Sequence, residues 1–359
     1  MASKSRTARR VLLGNSTDNI MKRYIPFLFL LLLLTVACAS STGSDETKVA
    51  KAVAQQQAVE PMAIVPIFSG DSAYRYIAQQ VAFGPRVPNS EGHRLCGDFL
   101  EAAFRSYGAD VVAQTTDITA YNGDVLKARN IIARFQPHKS ERVLLCAHWD
   151  TRPWADSDPD PANHYKPYPG ANDGGSGVGV LLEVARHLSQ VPTQVGVDIV
   201  LFDVEDYGRH DAEWRDAVEG EETWALGSAY WARNPHVQGY KARYGILLDI
   251  VGAPNSKFFL EGYSMHYAPN VLRKVWNHAY RLGYSSLFPY AEGGVITDDH
   301  LNVNRILSIP CIDIINHDMD SPNGFGAHHH TMKDDMDWID AATLKAVGQT
   351  VLSVIYSEK

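Results

Sequence analysis

Side chains able to hold a metal ion or carry a proton recur in this sequence at or just beyond its apolar runs. His148 and Asp150 follow the run at 143–147, and Asp173 sits in the glycine-rich turn Ala171-Asn172-Asp173-Gly174-Gly175-Ser176-Gly177. Glu205 and Asp206 follow Leu201-Phe202-Asp203-Val204, Asp249 lies within Leu247-Leu248-Asp249-Ile250, and Asp298-Asp299-His300 and His328-His329-His330 come later. Taken singly, an Asp at a strand end is most often a helix cap and a lone His a surface group. In succession they fit the carboxyl edge of an open sheet, where α/β folds keep their ligand crevice. Carboxylates and imidazoles with no thiolate among them suit a catalytic Zn²⁺ that keeps one position open, with Asp173 as the first ligand expected.

The elements that must position these residues are legible as periodic runs. Helices are expected at 72–82, with Asp71 as N-cap and Ser69 the alternative, and at 90–107. Strands are expected at 110–114, 128–135 and 142–147, the last delivering His148. A helix follows Gly177 to about Gln190, and the mostly apolar run 197–204 reads as a strand buried on both faces. Further strands are expected at 244–250, 257–260 and 306–315, and helices at 224–233, 268–282 and 339–356. Alternating strands and helices without an internal repeat give a single α/β domain, with a mixed, largely parallel central sheet flanked by helices.

The chain has 359 residues, 45% of them hydrophobic and 21% charged, which suits a sizeable globular core. Its net charge of −8, with no basic stripe, argues against a nucleic-acid partner. Met21-Lys22-Arg23 and the apolar run 24–37 form an export signal too short to span a membrane comfortably, so residues 1–37 read as a signal peptide. Met21 makes the better start, which leaves residues 1–20 as an over-extended beginning. The small residues before Cys38 resemble a lipobox, although Thr35 stands where Leu is usual; Cys38 would then carry lipid on an exported, periplasm-facing lipoprotein of a bacterial membrane. An ordinary signal peptide is the plainer alternative. Residues 38–70 read as a polar tether and 71–359 as the catalytic domain. Cys96, Cys146 and Cys311 make a poor disulfide framework, and Cys146 and Cys311 are expected as buried free thiols. Asp156, Asp158 and Asp160 lack the Gly and Glu of a calcium loop and read as a solvated acidic loop.

His148-Trp149-Asp150, the turn around Asp173, Val204-Glu205-Asp206, the run 247–255, Asp298-Asp299-His300 and His330-Thr331-Met332 together resemble the glutaminyl cyclases. The likeness is to the bacterial form of the animal-type enzyme, a family that shares its fold with zinc aminopeptidases, and it covers roughly residues 75–357. It implies one zinc ion per chain held by Asp173, Asp206 and His330, with Glu205 as general acid/base. It also implies that Asp249 and Asp298 form an acidic pair beside the substrate. Asp206 is a shortened version of the family's usual Glu. His329 stands where the animal enzymes have a Trp, and Asp313 where they have a His. Trp214, Trp224 and Trp231 are the candidates for an aromatic pocket wall. The implied reaction is zinc-dependent cyclisation of the amino-terminal Gln of peptides and proteins to pyroglutamate, with release of ammonia. The enzyme would be tied to its membrane by the lipid on Cys38, with its oligomeric state open and a monomer favoured.

A two-zinc aminopeptidase is the alternative, with His148 and Asp249 on a second metal bridged by Asp173. Asp298 argues against it: two carboxyls in contact share a proton, which would occupy Asp249 and lower its charge. A catalytically dead relative serving as a binding module would be expected to have lost ligand positions, and none is lost here.

Overall fold

Four strands whose every residue is buried form the middle of the sheet: β3 (Arg142–His148), β4 (Gly196–Phe202), β5 (Gly245–Asp249) and β6 (Cys311–Ile315). They run parallel in the order β4-β3-β5-β6, which brings their carboxyl ends to one edge. Strands covered on both faces have no need to alternate, which is why they read as continuous apolar runs. On the other side of β4 the sheet continues antiparallel through β2 (Val125–Phe135) to β1 (Asp110–Thr119) at the edge. In β1, exposed residues alternate with half-buried ones, as in a strand covered on one face. The computed structural model describes residues 65–216, 222–318, 321 and 323–359, without the side chains of 214–216. The expected signal peptide, Cys38 and nearly all of the expected tether lie outside the described residues.

The helices are α1 (Gly70–Val81), α2 (Glu91–Ser106), α3 (Ser176–Gln190), α4 (Leu226–Arg233), α5 (Gly262–Tyr267), α6 (Pro269–Arg281), α7 (Asp299–Leu307) and α8 (Ala341–Tyr356). Helices α1, α2, α3, α6 and α8 bury their apolar stripes on one sheet face, against Val143, Leu145 and Ala147 of β3. Trp231 of α4 and Val303 of α7 fill the other, against Leu144 and Cys146. The two clusters take alternate residues of the same strand, as the two-residue side-chain period requires. Cys96, Cys146 and Cys311 are free and buried, as expected for Cys146 and Cys311.

The structure departs from the sequence expectations in a few places. Ser69 caps α1, accepting from the Ser72 amide at 3.2 Å, so the helix starts at Gly70 and Asp71 lies inside its first turn. Phe68 is buried and its amide donates to Gln349 at 2.9 Å, so residues 65–70 pack on the domain rather than belonging to a tether. The expected strand at 306–315 is split. Residues 306–307 end α7, which Ser308 closes in the left-handed region (φ 55°), and β6 begins only at Cys311. Residues 257–260 make only isolated bridges, at Phe258 and Leu260, and α5 had no counterpart in the periodicity.

Candidate active site

Strands β3, β4 and β5 deliver their chemistry within a few residues of their carboxyl ends, and β6 delivers its own through a long loop. His148 ends β3, Asp249 ends β5, Glu205 and Asp206 follow β4, and the loop after β6 brings in His329 and His330. Sharp backbone turns aim them. Val204 (φ 53°), just before Glu205, and Ile250 (φ 49°), just after Asp249, both lie in the left-handed region, as does His330 itself (φ 56°). For a β-branched residue this is a true outlier costing about 1–3 kcal/mol, kept only where the surroundings demand it. Gly174 (φ 75°) turns the chain after Asp173, and a Cβ there would lie 2.2 Å from the Asp150 carbonyl oxygen.

A cavity of 740 Å³ opens at this edge, with Glu205, Trp224, Asp249, Asp298, Phe325 and His329 in its wall. At its base His330 Nε2 stands 3.4 Å from Asp173 Oδ2 and 3.3 Å from Asp206 Oδ1. Asp206 Oδ1 is buried and receives no hydrogen bond. The other oxygen is occupied: Asp206 Oδ2 accepts from the Arg152 amide at 2.9 Å and the Tyr168 hydroxyl at 3.2 Å. Two buried carboxylates and an imidazole converging around an unsatisfied oxygen fit a metal ion, and oxygen plus nitrogen donors fit zinc. Burial would lower the pKa of His330, but Asp206 and Asp173 outweigh it and bring it to about 9. That proton is the positive charge a metal ion replaces on binding.

The residues behind these ligands are built into the same loops. Asp150 accepts the amides of Glu205 (3.1 Å) and Asp206 (3.2 Å), and Asp334 accepts those of Asn172 (2.7 Å) and Asp173 (3.0 Å). His148 Nε2 lies 3.0 Å from both Asp173 Oδ1 and Asp249 Oδ1. Burial opposes its charge, yet Asp150, Asp173 and Asp249 hold its pKa well above the usual histidine value. His148, Asp173 and Asp249 thus form a second convergent group sharing Asp173 with the first, which is where a second metal would sit.

Among the described residues no N–H or O–H donates to the Glu205 carboxylate. Burial pushes its pKa well above the ordinary carboxylate range; His148 opposes this, while Asp298 and Asp206 add to it. Asp249 is pushed up to about 7, by burial first, with His148 opposing. Asp249 and Asp298 share the cavity wall and Asp298 adds to the raised pKa of Asp249, while Asp249 also contacts His148 at 3.0 Å and Asp313 lies beside both acids. Asp298 caps α7, accepting from the Asp299 amide at 2.5 Å.

Of the aromatic candidates, Trp224 lies parallel to the His330 ring, 6.0 Å between centroids, with the Arg152 guanidinium 4.6 Å from its own ring centroid. Trp231 does not reach the cavity; it is fully buried beneath the sheet against Phe202 and Tyr240, because its side of α4 faces inward. Trp214 lies in a short turn, its side chain outside the described residues. His329 stacks on His330 at 3.7 Å, whereas His328 turns away, contacting Asn172 (2.8 Å) and Trp338 (centroids 4.9 Å apart). Asp156 and Asp158 are buried rather than solvated: Asp156 pairs with Arg152, and Asp158 accepts the Met332 amide at 2.9 Å. Arg152, Tyr168, Asp334 and Glu261 went unnoticed in the sequence. They act across loops, and nothing in their spacing marks them.

The family model for peptidase family M28 matches residues 130–355. The glutaminyl cyclase of Bacteroides thetaiotaomicron, solved with N-acetylhistamine bound, is 53% identical with a TM-score of 0.80, over 82% of this chain and 100% of that one. The glutaminyl cyclase of Tannerella forsythia is 54% identical with a TM-score of 0.79, over 82% and 100%. A Zn-dependent exopeptidase from Parabacteroides distasonis is 52% identical with a TM-score of 0.80, over the same shares. Aminopeptidase YwaD of Bacillus subtilis is 25% identical over 291 residues, 76% of this chain and 54% of its own length. This chain spans about half or less of the length of the curated relatives it matches. With the convergent donors at the sheet edge and this likeness along its folded length, the chain belongs to peptidase family M28 and, within it, to the glutaminyl cyclases.

Proposed function

We propose that this protein is a glutaminyl-peptide cyclotransferase, closing the amino-terminal Gln of peptides and proteins to pyroglutamate and releasing ammonia. One observation carries the reading beyond family likeness. Among the described residues Glu205 receives no hydrogen bond; it faces the same cavity as Asp173, Asp206 and His330, and burial raises its pKa well above the ordinary carboxylate range, which strengthens it as a base. Asp173, Asp206 and His330 would hold one zinc ion, which when bound supplies Lewis acidity towards a carbonyl oxygen. Glu205 takes a proton from the substrate α-amino group as its nitrogen bonds to the γ-carbonyl carbon. The same proton then passes to the departing side-chain nitrogen, which leaves as ammonia, so the carboxylate is regenerated. The nucleophile belongs to the substrate, so the cavity's part is to select a rotamer and exclude others. Asp249 and Asp298 sit in the cavity wall where they can orient the reacting amine and amide.

A second zinc at His148, Asp173 and Asp249 would make an aminopeptidase. His148, Asp173 and Asp249 converge closely enough to hold it, so the reading of one ion rests on the likeness to the glutaminyl cyclases. The leader at 1–37 and the small residues before Cys38 support an exported, lipid-anchored protein facing the periplasm, and the net charge of −8 argues against a nucleic-acid partner. Incubation with a Gln-initiated peptide should release ammonia and lower its mass by about 17 Da, that of the ammonia expelled. Cleavage of an aminoacyl anilide instead would favour the aminopeptidase. Glu205→Gln should abolish turnover with zinc content unchanged; retained turnover would reject its role.

A further inference from the structure

Behind the cavity wall lies a carboxylate that the proposed chemistry does not use. Glu261 is almost fully buried and forms the joint of three separate segments. Its Oε1 accepts from the Tyr263 amide at 2.8 Å and its Oε2 from the Ser264 amide at 2.6 Å, capping α5. Oε1 also accepts from the Ile296 amide at 3.0 Å, and Oε2 lies 3.2 Å from His300 Nε2. The segment 291–296 is laced to 260–262 by the bonds Leu260 N to Ala291 O, Gly293 N to Leu260 O and Gly262 N to Gly294 O, all between 2.8 and 2.9 Å. That segment carries Val295, Ile296 and Thr297 into the cavity wall and ends at Asp298.

The second line of contact runs through His300. This ring is fully buried, with Nε2 towards Glu261 and Nδ1 3.9 Å from Asp313 Oδ2. Asp313 faces Asp298, and its own amide donates to Ser264 Oγ at 3.0 Å, which ties β6 to the helix that Glu261 caps. Glu261 therefore meets Asp298 from two directions, along the backbone through Ile296 and across the core through His300 and Asp313. A buried carboxylate that receives three amides and stands 3.2 Å from a buried imidazole has no freedom to move without disturbing them. A shift of about 1 Å at a reacting group is enough to cost on the order of a hundredfold in rate.

We propose that Glu261 is a positioning residue of this active site, setting the cavity wall 295–297 through Ile296 and the carboxyl of Asp298 through His300 and Asp313. It touches neither substrate nor metal ligand. The inference rests on the proposed function for the role of Asp298, and predicts two separable defects. Loosening the wall raises KM, whereas misplacing Asp298 lowers kcat.

The test compares Glu261→Gln, His300→Asn and Glu358→Gln in the zinc-loaded protein on a Gln-initiated peptide. Glu358 is a buried carboxylate too, but it binds Tyr244 (2.8 Å) and Arg243 (3.1 Å) at the amino end of β5, opposite the cavity. Glu261→Gln should lose about tenfold or more in kcat and raise KM, with zinc content unchanged. His300→Asn should lower kcat with KM near that of the parent, since His300 leaves the Ile296 bond intact. Glu358→Gln should cost stability alone. Kinetics of Glu261→Gln within about twofold of the parent, or shifted no more than those of Glu358→Gln, overturn the proposal. Should Glu261→Gln not fold, His300→Asn decides: parent-like kcat overturns it. Absence of ammonia release by the parent protein rejects the cyclase reading instead, and the same variants are then compared on an aminoacyl anilide.

Discussion

Two groups of buried acids meet at this cavity, and they solve the same electrostatic difficulty in opposite ways. On one side Asp173 and Asp206 are surrounded by donors and cations: the Arg152 amide, the Tyr168 hydroxyl, His148 and His330. On the other, Asp298, Asp299 and Asp313 lie together with oxygens that receive no donor. Burial pushes the pKa of Asp299 and Asp313 well above the ordinary range, and the Asp298 carboxyl adds to both shifts. An ionised carboxylate out of water must be paired or it takes up a proton. Asp173 is held well below the ordinary carboxylate range by His148 and His330 against its burial, while burial and Asp173 raise Asp206; Asp299 and Asp313 lack such partners and are driven towards the protonated form. Asp298 and Asp313 also converge with His300 closely enough to hold an ion, but their raised pKa values suit them to giving and accepting hydrogen bonds beside a reacting amide.

The division is most easily broken at its two centres. His330→Ala removes the imidazole that converges with Asp173 and Asp206, and the stacking partner of Trp224. It should lose zinc measured by elemental analysis, and activity by on the order of a thousandfold or more. Asp298→Asn keeps the shape and a hydrogen-bonding group while abolishing the carboxyl proton. It should keep its zinc and lose on the order of a hundredfold in kcat. Equal zinc loss in the two variants would show the groups to be one site.

The metal-side group was legible in the sequence and the proton-holding group only in part, for a physical reason. Asp173, Glu205 and Asp206 sit beside an apolar run or a glycine turn, and a parallel sheet gathers such positions at one edge whatever lies between them, while His330 is marked only by the triple histidine. The strands were legible on the same ground, since burial on both faces leaves a continuous apolar signature in β3, β4 and β5. The second group depends on contacts across the core. Asp313 was visible as an acid inside an apolar strand, but its proximity to Asp298 depends on α7, hidden within a run that also resembles a strand. Glu261 lies outside any motif, and its partners Ile296 and His300 are 35 and 39 residues away. Trp231 shows the opposite failure: a Trp in the right stretch of sequence was directed by its helical face into the core, where its neighbour Trp224 was not.

The smallest effect expected is a pH dependence that sets Glu261, the ionised acid behind the second group, apart from that group. Burial would raise the pKa of Glu261, but His300 and the two α5 amides outweigh it and bring it to about 2. An unfolded Glu titrates near about 4.3, so between these values the unfolded chain binds the proton and the folded one does not. The contribution is therefore complete above about pH 5 and is lost as pH falls towards 2. Melting temperatures of the parent and of Glu261→Gln should differ by a constant amount, about a few degrees, from pH 8 to 5. The gap should narrow steadily below that, closing as His300 loses its charged partner in the parent as well. A gap that stays constant down to pH 3 would mean that Glu261 is already protonated in the fold. In that case His300 would lack the anion on which its own place between the two acids depends.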